Sequence, residues 1–231
     1  FQANGFDRMN SAMGKMPVTP KRLALVGFYS FFIVGALFNS LGMFRSVMIA
    51  LTPLIMVFIG VAATVLTFRL SVRTAGAVVG VLILTFLCEA AGANFGFPFG
   101  DYAYTSLLGP KVLDVPIVIP FAWLAVLIPS WVAADRILRY KNVIVASVVV
   151  TAFDGVMEFA ADSLDLWHWS GGLPTELNYI SWFGVSYLAL SILKNYATEK
   201  ESSPLVPHLL FAQLVYFFLS DLGMRVLFSH Q

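Results

Sequence analysis

The stretch that decides the fold runs from Asn142 to Ser163 and reads NVIVASVVVTAFDGVMEFAADS. It is long and apolar enough to cross a membrane, since a helix needs about 20 residues to span the hydrocarbon. It also carries three acids, Asp154, Glu158 and Asp162, spaced four residues apart. That spacing places them along one face of a helix. The pattern predicts a membrane helix with an acidic stripe, and acids inside such helices are usually functional or paired.

The rest of the chain has the composition of an integral membrane protein. Of its 231 residues, 59% are hydrophobic and 12% charged, and the mean hydropathy is +0.83. Soluble domains average about 45–50% apolar and about 25% charged residues. A net charge of +1 argues against a nucleic-acid partner. Cys88 is the single cysteine, which excludes an internal disulfide. His168 and His208 are isolated, so we expect no His-based metal site.

Six further windows match the first in length and apolarity. We therefore predict an all-α bundle of seven transmembrane helices that forms a single domain over residues 21–225. A polar segment, 1–20, precedes this domain, and a short tail, 226–231, follows it. The predicted helices cover residues 21–43, 46–68, 74–94, 116–135, 142–163, 178–197 and 205–225.

Basic residues are distributed unevenly between the two sides of the predicted bundle. Eleven Lys and Arg residues lie on the side of the N-terminus, and only Arg45, Lys111 and Arg225 lie on the other. The positive-inside rule then predicts a multi-pass protein of the cell membrane with a cytoplasmic N-terminus. In that orientation, the two longest connections, 95–115 and 164–177, cover the same outer end of the bundle.

Carboxylates recur inside the predicted spans without basic partners at the same depth. They are Glu89, Asp154, Glu158, Asp162 and Asp221. A charge in hydrocarbon costs at least about 2.5–3.5 kcal/mol, so the protonated form is expected for some of them. A polar stripe that joins neighbouring helices is the alternative interpretation. Asp221 is expected to pair with Arg225, one helical turn further along the chain.

The two long connections are rich in aromatic residues. The first begins NFGFPFGDYAY at residues 94–104, and the second contains WHWSGGLP at 167–174. Glycine and proline stop the preceding helix, so the first connection is expected to cover the mouth of the bundle as an irregular loop. The small residues that follow Glu89 let helices approach closely, and they are expected to bring Glu89 near the acidic stripe of the helix at 142–163. An aromatic belt at the lipid headgroups is the competing interpretation.

These motifs together resemble the CruF family of carotenoid hydratases over about residues 85–185. The first block, residues 89–104, reads E-x-x-G-x-x-x-G-x-P-F-G-x-Y-x-Y. The remaining matches are Leu108-Gly109-Pro110, Pro116, Pro120, Trp123, Asp154, Glu158, Asp162, Trp167-x-Trp169, Pro174, Asn178-Tyr179 and Trp182-Phe183. The resemblance implies cofactor-free addition of water to the terminal double bond of an acyclic or monocyclic carotenoid, which gives a tertiary alcohol.

The resemblance also implies roles for individual residues. Glu89, Asp154 and Glu158 would act as acid and base, with the two roles left unassigned among them. Aromatic faces would stabilise the cation formed by protonation of the alkene. The expected substrate-binding residues are Asn94, Phe99, Tyr102, Tyr104, Trp123, Asp162, Trp167, Trp169, Asn178 and Trp182. Membrane lipid is the other expected partner, and a homo-oligomer is compatible with the sequence.

Four other functions were weighed against hydration. A carotenoid-end or terpene cyclase uses the same opening protonation and is the main alternative. A non-enzymatic carotenoid or lipid carrier would tolerate replacement of the acids. A magnesium-dependent prenyltransferase is disfavoured because the acids lack basic partners for a diphosphate. A retinal photoreceptor is disfavoured because residues 205–225 contain no Lys for a Schiff base.

Overall fold

The computed structural model describes residues 20–228 and shows seven long helices in this range. Residues 1–19 of the polar segment and 229–231 of the tail lie outside the described residues. Every helix end lies within three residues of its predicted position. The helices are α1 Pro20–Ser40, α2 Arg45–Thr67, α3 Val72–Phe95, α4 Ile119–Arg136, α5 Val143–Ala161, α6 Glu176–Tyr196 and α7 Val206–Phe228. The predicted all-α bundle is confirmed.

Capping residues explain where several of these helices begin and end. Ser71 precedes α3, and its side chain accepts a hydrogen bond from the backbone N–H of Thr74 at 3.1 Å. Asn142 caps α5 in the same way through the N–H of Ile144 at 2.7 Å. Both caps satisfy a backbone donor that the first helical turn leaves free. α3 ends at Gly96, which takes a left-handed conformation with φ of 67° that favours glycine.

Helix α4 forms the centre of the bundle. Its side chains from Trp123 to Ala134 are all buried, and it packs against every other helix except α1. The closest of these contacts joins α2 and α4, where Gly60 lies directly against the backbone carbonyl of Phe121. A helix that is apolar all round belongs inside a bundle, as here.

The two long connections meet over one end of the bundle, which agrees with their predicted placement at the same end. They do so as a small antiparallel sheet, which the sequence analysis did not predict. β1, Tyr102–Tyr104, pairs with β4, Trp167–Trp169. A second hairpin joins β2, Lys111–Val112, to β3, Val115–Pro116. We call the β1–β4 pair and the loops that carry it the cap.

Four of the seven helices are long and apolar enough to cross a membrane, which marks the chain as a membrane protein. Within the described range these segments are Ser46–Thr67, Val72–Phe95, Val143–Ala161 and Val206–Val226. The apolar part of α1, Leu25–Ser40, is shorter. α4 ends in Asp135-Arg136, and α6 includes Glu176 and Lys194, which lowers the apolarity of both. Seven spans and a cytoplasmic N-terminus therefore stay predictions.

Candidate active site

A cavity of about 550 Å³ lies under the cap and reaches into the bundle. Its walls come from all seven helices and from both connections of the cap. Most residues predicted for the site line it. They are Glu89, Phe99, Tyr102, Tyr104, Trp123, Glu158, Trp167, Trp169, Asn178 and Trp182. The structure therefore brings together residues that lie up to 93 positions apart in the chain.

Glu89 is buried at one end of this cavity and accepts three hydrogen bonds. The hydroxyl groups of Tyr102 and Tyr104 donate to its Oε2 atom at 2.5 and 2.8 Å. The indole N–H of Trp123 donates to its Oε1 atom at 2.8 Å. All three partners are donors, so both carboxyl oxygens of Glu89 act as hydrogen-bond acceptors.

The small residues beside Glu89 make room for the cap. A Cβ atom on Gly92 would lie 2.9 Å from the Tyr102 hydroxyl and 2.9 Å from a ring carbon of Phe99. α3 packs mainly on α6 and α4. α3 therefore does not pack closely against α5, although Glu89 and the α5 acid Glu158 line the same cavity, as expected. Glu89 and Glu158 face the same cavity because α4, α6 and the cap hold their helices in place.

Glu158 is the second acid of the cavity and is held by two tryptophans of the cap. The indole N–H groups of Trp169 and Trp167 donate to its Oε2 atom at 2.7 and 3.2 Å. Its Oε1 atom receives no hydrogen bond from residues 20–228. One oxygen of Glu158 is thus anchored, and the other is left for a group inside the cavity.

The β1–β4 pair explains how four aromatic donors reach the two acids. Alternate residues of a strand point to the same side, so Tyr102 and Tyr104 share a face, as do Trp167 and Trp169. The register places Tyr102 opposite Trp169 and Tyr104 opposite Trp167. Their ring centroids are 5.2 and 6.0 Å apart. One small sheet therefore presents two phenols to Glu89 and two indoles to Glu158.

The two phenols remain donors over the whole physiological pH range. Burial and the nearby charge of Glu89 raise the pKa of both Tyr102 and Tyr104 above the ordinary value for tyrosine. Each hydroxyl donates to Glu89. In the structure these hydroxyls orient the carboxyl group of Glu89.

Asp154 is fully buried but does not line the cavity. Its Oδ2 atom accepts a hydrogen bond from the side-chain amide of Asn178 at 2.9 Å. Its Oδ1 atom has no hydrogen-bond partner among residues 20–228. Asn178 does line the cavity. Asp154 therefore reaches the site through Asn178, and it fits a positioning role better than a place beside the substrate.

Two of the predicted substrate-binding residues lie outside the cavity. Asp162 follows the last residue of α5, and its side chain is 75% exposed. Its Oδ1 atom lies 2.6 Å from Nδ1 of His168, and Asp165 lies 2.8 Å from Nε2 of the same ring. Asn94 donates to the backbone carbonyls of Ala90 and Leu113, each at 2.9 Å. Asn94 thus ties the end of α3 to the β2–β3 hairpin.

The expected pair near the C-terminal end of α7 is present. Arg225 donates from Nε to Asp221 Oδ2 at 2.8 Å, and Ser163 donates to the Oδ1 atom of the same carboxylate at 3.1 Å. Asp221 is therefore satisfied by its neighbours and does not line the cavity. The structure places it in a structural role.

The sequence analysis missed the wall that α1, α2 and α7 contribute. This wall is mostly apolar but includes Asn39, Thr52, Gln213 and Tyr216. Gln213 donates to the backbone carbonyls of Ala125 and Leu209 at 3.0 and 2.9 Å. Asn39 donates to the hydroxyl of Tyr216. The available signal was the presence of two amides, at 39 and 213, inside otherwise apolar spans.

Aromatic faces surround the space between the two acids. The rings of Trp123 and Trp182 stack with centroids 3.9 Å apart and planes 18° apart. Phe99 lies beside Trp123 with a centroid distance of 6.3 Å. Within residues 20–228, no group of three or more His, Cys, Asp or Glu side chains is placed to hold a metal ion. The arrangement can offer a proton, a carboxylate and the negative faces of several rings to an apolar guest.

Comparison with known proteins identifies one family. A family model described as "Carotenoid biosynthesis protein" matches residues 44–230. The match includes Glu89, Asp154, Glu158 and the whole cap, and it begins after α1. No curated protein and no solved structure matches the chain.

Proposed function

This chain belongs to the carotenoid biosynthesis protein family, and we propose that it is a hydratase acting on the end of an acyclic carotenoid. The observation that supports the proposal best is the pair of acids at one end of an apolar cavity, each in a different hydrogen-bond environment. Glu89 accepts three donors, whereas both donors to Glu158 bind a single oxygen. Hydration of an alkene needs one acid to give a proton and one base to take another.

Glu158 is the better proton donor of the two. Its Oε1 atom receives no hydrogen bond from the part of the chain that the structure describes and can carry a proton toward the cavity. Protonation forms a C–H bond at the less substituted alkene carbon and leaves a tertiary cation at the other carbon. The rings of Trp123 and Trp182 line the cavity, and a ring face that the stack leaves uncovered can stabilise that cation.

Glu89 is the better base. A carboxylate has about four lone-pair positions, of which the three donors occupy three. The remaining position can accept a proton from a water molecule while the oxygen atom of that water bonds to the tertiary cation. The alkene thereby gains one hydrogen and one hydroxyl group. The proton on Glu89 must then return to Glu158, directly or through water, before the next turnover.

Substitution of each acid tests these assignments. Glu89→Gln and Glu158→Gln remove one titrating group each while keeping side-chain size, and Asp162→Asn is the control because it changes an exposed acid outside the cavity. General acid or base catalysis typically contributes about 10²–10⁴-fold. We expect losses in that range for both Gln variants and activity close to wild type for Asp162→Asn, measured as hydrated pigment per protein. Full activity in either Gln variant would contradict the assignment.

We further infer that the site lies in the outer half of a cell-membrane protein. The bundle end opposite the cap holds the α2–α3, α4–α5 and α6–α7 connections. Lys141 lies 2.6 Å from Glu199 there, and the N–H of Arg69 donates to the carbonyl of Thr198 at 2.8 Å. Basic residues are concentrated in these connections, which supports a cytoplasmic placement of that end.

A further inference from the structure

The cavity continues into a cleft between α1 and α2. α1 packs mainly against α7, and α2 packs mainly against α4, while the two helices contact each other little. Side chains from both helices line the cavity on this side. They are Phe31, Phe32, Val34, Gly35, Phe38 and Asn39 of α1 and Val47, Met48, Leu51, Thr52, Ile55, Met56 and Ile59 of α2. The cavity therefore extends between two helices that pack against different neighbours and only loosely against each other.

A second cavity of about 380 Å³ extends the same cleft. It is lined by apolar side chains of α1 and α2 alone, namely Phe28, Phe31, Phe32, Leu54, Ile55, Phe58 and Ile59. Four of these residues, Phe31, Phe32, Ile55 and Ile59, also line the first cavity. The two spaces are thus neighbours that share walls, and together they follow the helices for several turns.

The cleft opens on the side of the bundle. Val34 and Val47 line the first cavity, yet they are 43% and 53% exposed. Phe31, which lines both cavities, is 55% exposed. Val47 lies near the cap end of α2, whereas Val34 and Phe31 lie deeper along the apolar helix α1, so the opening faces the region where lipid chains would lie.

We propose that this cleft is the entrance for the substrate and the seat of its polyene chain, an inference that rests on the proposed function. The cap closes the cavity beyond Glu89 and Glu158, because Tyr102, Tyr104, Trp167 and Trp169 bond directly to these acids. A linear molecule whose end reaches the acids must therefore leave the cavity through its open side. The occupant is a long, rigid, apolar polyene, which the apolar walls fit and which would reach the cleft from the bilayer.

Paired substitutions at the mouth test this entrance. Val34→Trp and Val47→Trp, singly and together, add bulk on the two sides of the cleft at exposed positions. Val79→Trp is the matched control, because Val79 is 51% exposed on α3 and lines neither cavity. Each protein is assayed with an acyclic carotenoid and with a short isoprenoid alkene that has the same terminal double bond. Retained carotenoid per purified protein is measured in parallel by visible absorbance.

The entrance predicts that the double variant loses at least about tenfold in kcat/KM for the carotenoid while Val79→Trp stays near wild type. The short alkene should lose far less, because it leaves little chain in the cleft. Equal kcat/KM for the carotenoid in the double variant and Val79→Trp would overturn the proposal. If wild type hydrates neither compound, the proposed function fails, and the entrance is then decided by retained carotenoid. The proposed entrance would also be overturned if the wild-type protein retained no carotenoid, or if the double variant retained as much carotenoid as the wild type.

Discussion

Tyr104→Phe removes one of the three hydrogen-bond donors to Glu89. Its effect on the free energy of unfolding measures what that hydrogen bond contributes to stability. The Tyr104 side chain is 9% exposed, and its hydroxyl lies 2.8 Å from Glu89 Oε2. A hydrogen bond to a charged group contributes about 1.5–3 kcal/mol, whereas one between neutral groups contributes about 0.5–1.5 kcal/mol. Because the proposed role of Glu89 as base requires its ionised form, we expect a loss in the free energy of unfolding of about 1.5–3 kcal/mol.

The assay is equilibrium unfolding in mixed detergent and lipid micelles, with Tyr140→Phe as the control. Tyr140 is 59% exposed in the α4–α5 connection, and a surface change of this kind is expected to stay within about 0.5 kcal/mol. Repeating Tyr104→Phe in a Glu89→Gln background isolates the interaction between the two side chains. A loss no larger than that of Tyr140→Phe, or the same loss with Gln at position 89, would refute the reasoning.

Two further predictions follow from the cap. In thermal unfolding, Gly92→Ala should destabilise the protein by about 1–3 kcal/mol, because the added methyl group overpacks against Phe99 and Tyr102. Gly76→Ala is the control, since nothing lies within 4 Å of the Cβ position of Gly76, and it should be neutral or stabilising by up to about 1 kcal/mol. Similar melting temperatures for the two variants would contradict the close packing at Gly92. The hydrogen bonds of the His168 ring to the carboxylates, first that of Asp162 and next that of Asp165, raise the pKa of His168 above its ordinary value. Its contribution to stability is therefore complete below a pH of about 6.5 and is lost as pH rises through the raised value. An NMR titration should show that pKa falling toward the ordinary value in Asp162→Asn, and an unchanged titration would contradict the pairing.

The helices could be predicted from the sequence because their signal is local. An apolar run of about 20 residues has few alternatives to a membrane or core helix. The centre of the site was also predictable, since Glu89 and Glu158 are costly in apolar surroundings and the Tyr and Trp motifs stand out. The position of Asp162 outside the cavity could not be predicted. A spacing of four residues keeps side chains on one face only while the helix continues, and α5 ends at Ala161.

Other features depended on contacts between distant segments. The alternation in Tyr102-Ala103-Tyr104 and Trp167-His168-Trp169 is a strand pattern, but three-residue strands are too short to be recognised without their partner. The cleft between α1 and α2 depends on which neighbours each helix packs against. That choice is made by the shapes of whole helix faces, which the hydropathy of the two spans does not reveal.

The most direct test of the central claim is the mass of the product formed in water enriched in heavy oxygen. Purified protein in lipid is incubated with an acyclic carotenoid, and the pigments are extracted for mass spectrometry. We expect a product heavier than the substrate by one water molecule, with the heavy isotope in its new hydroxyl group. A product of unchanged mass would show that an internal double bond captured the cation, and it would contradict hydration.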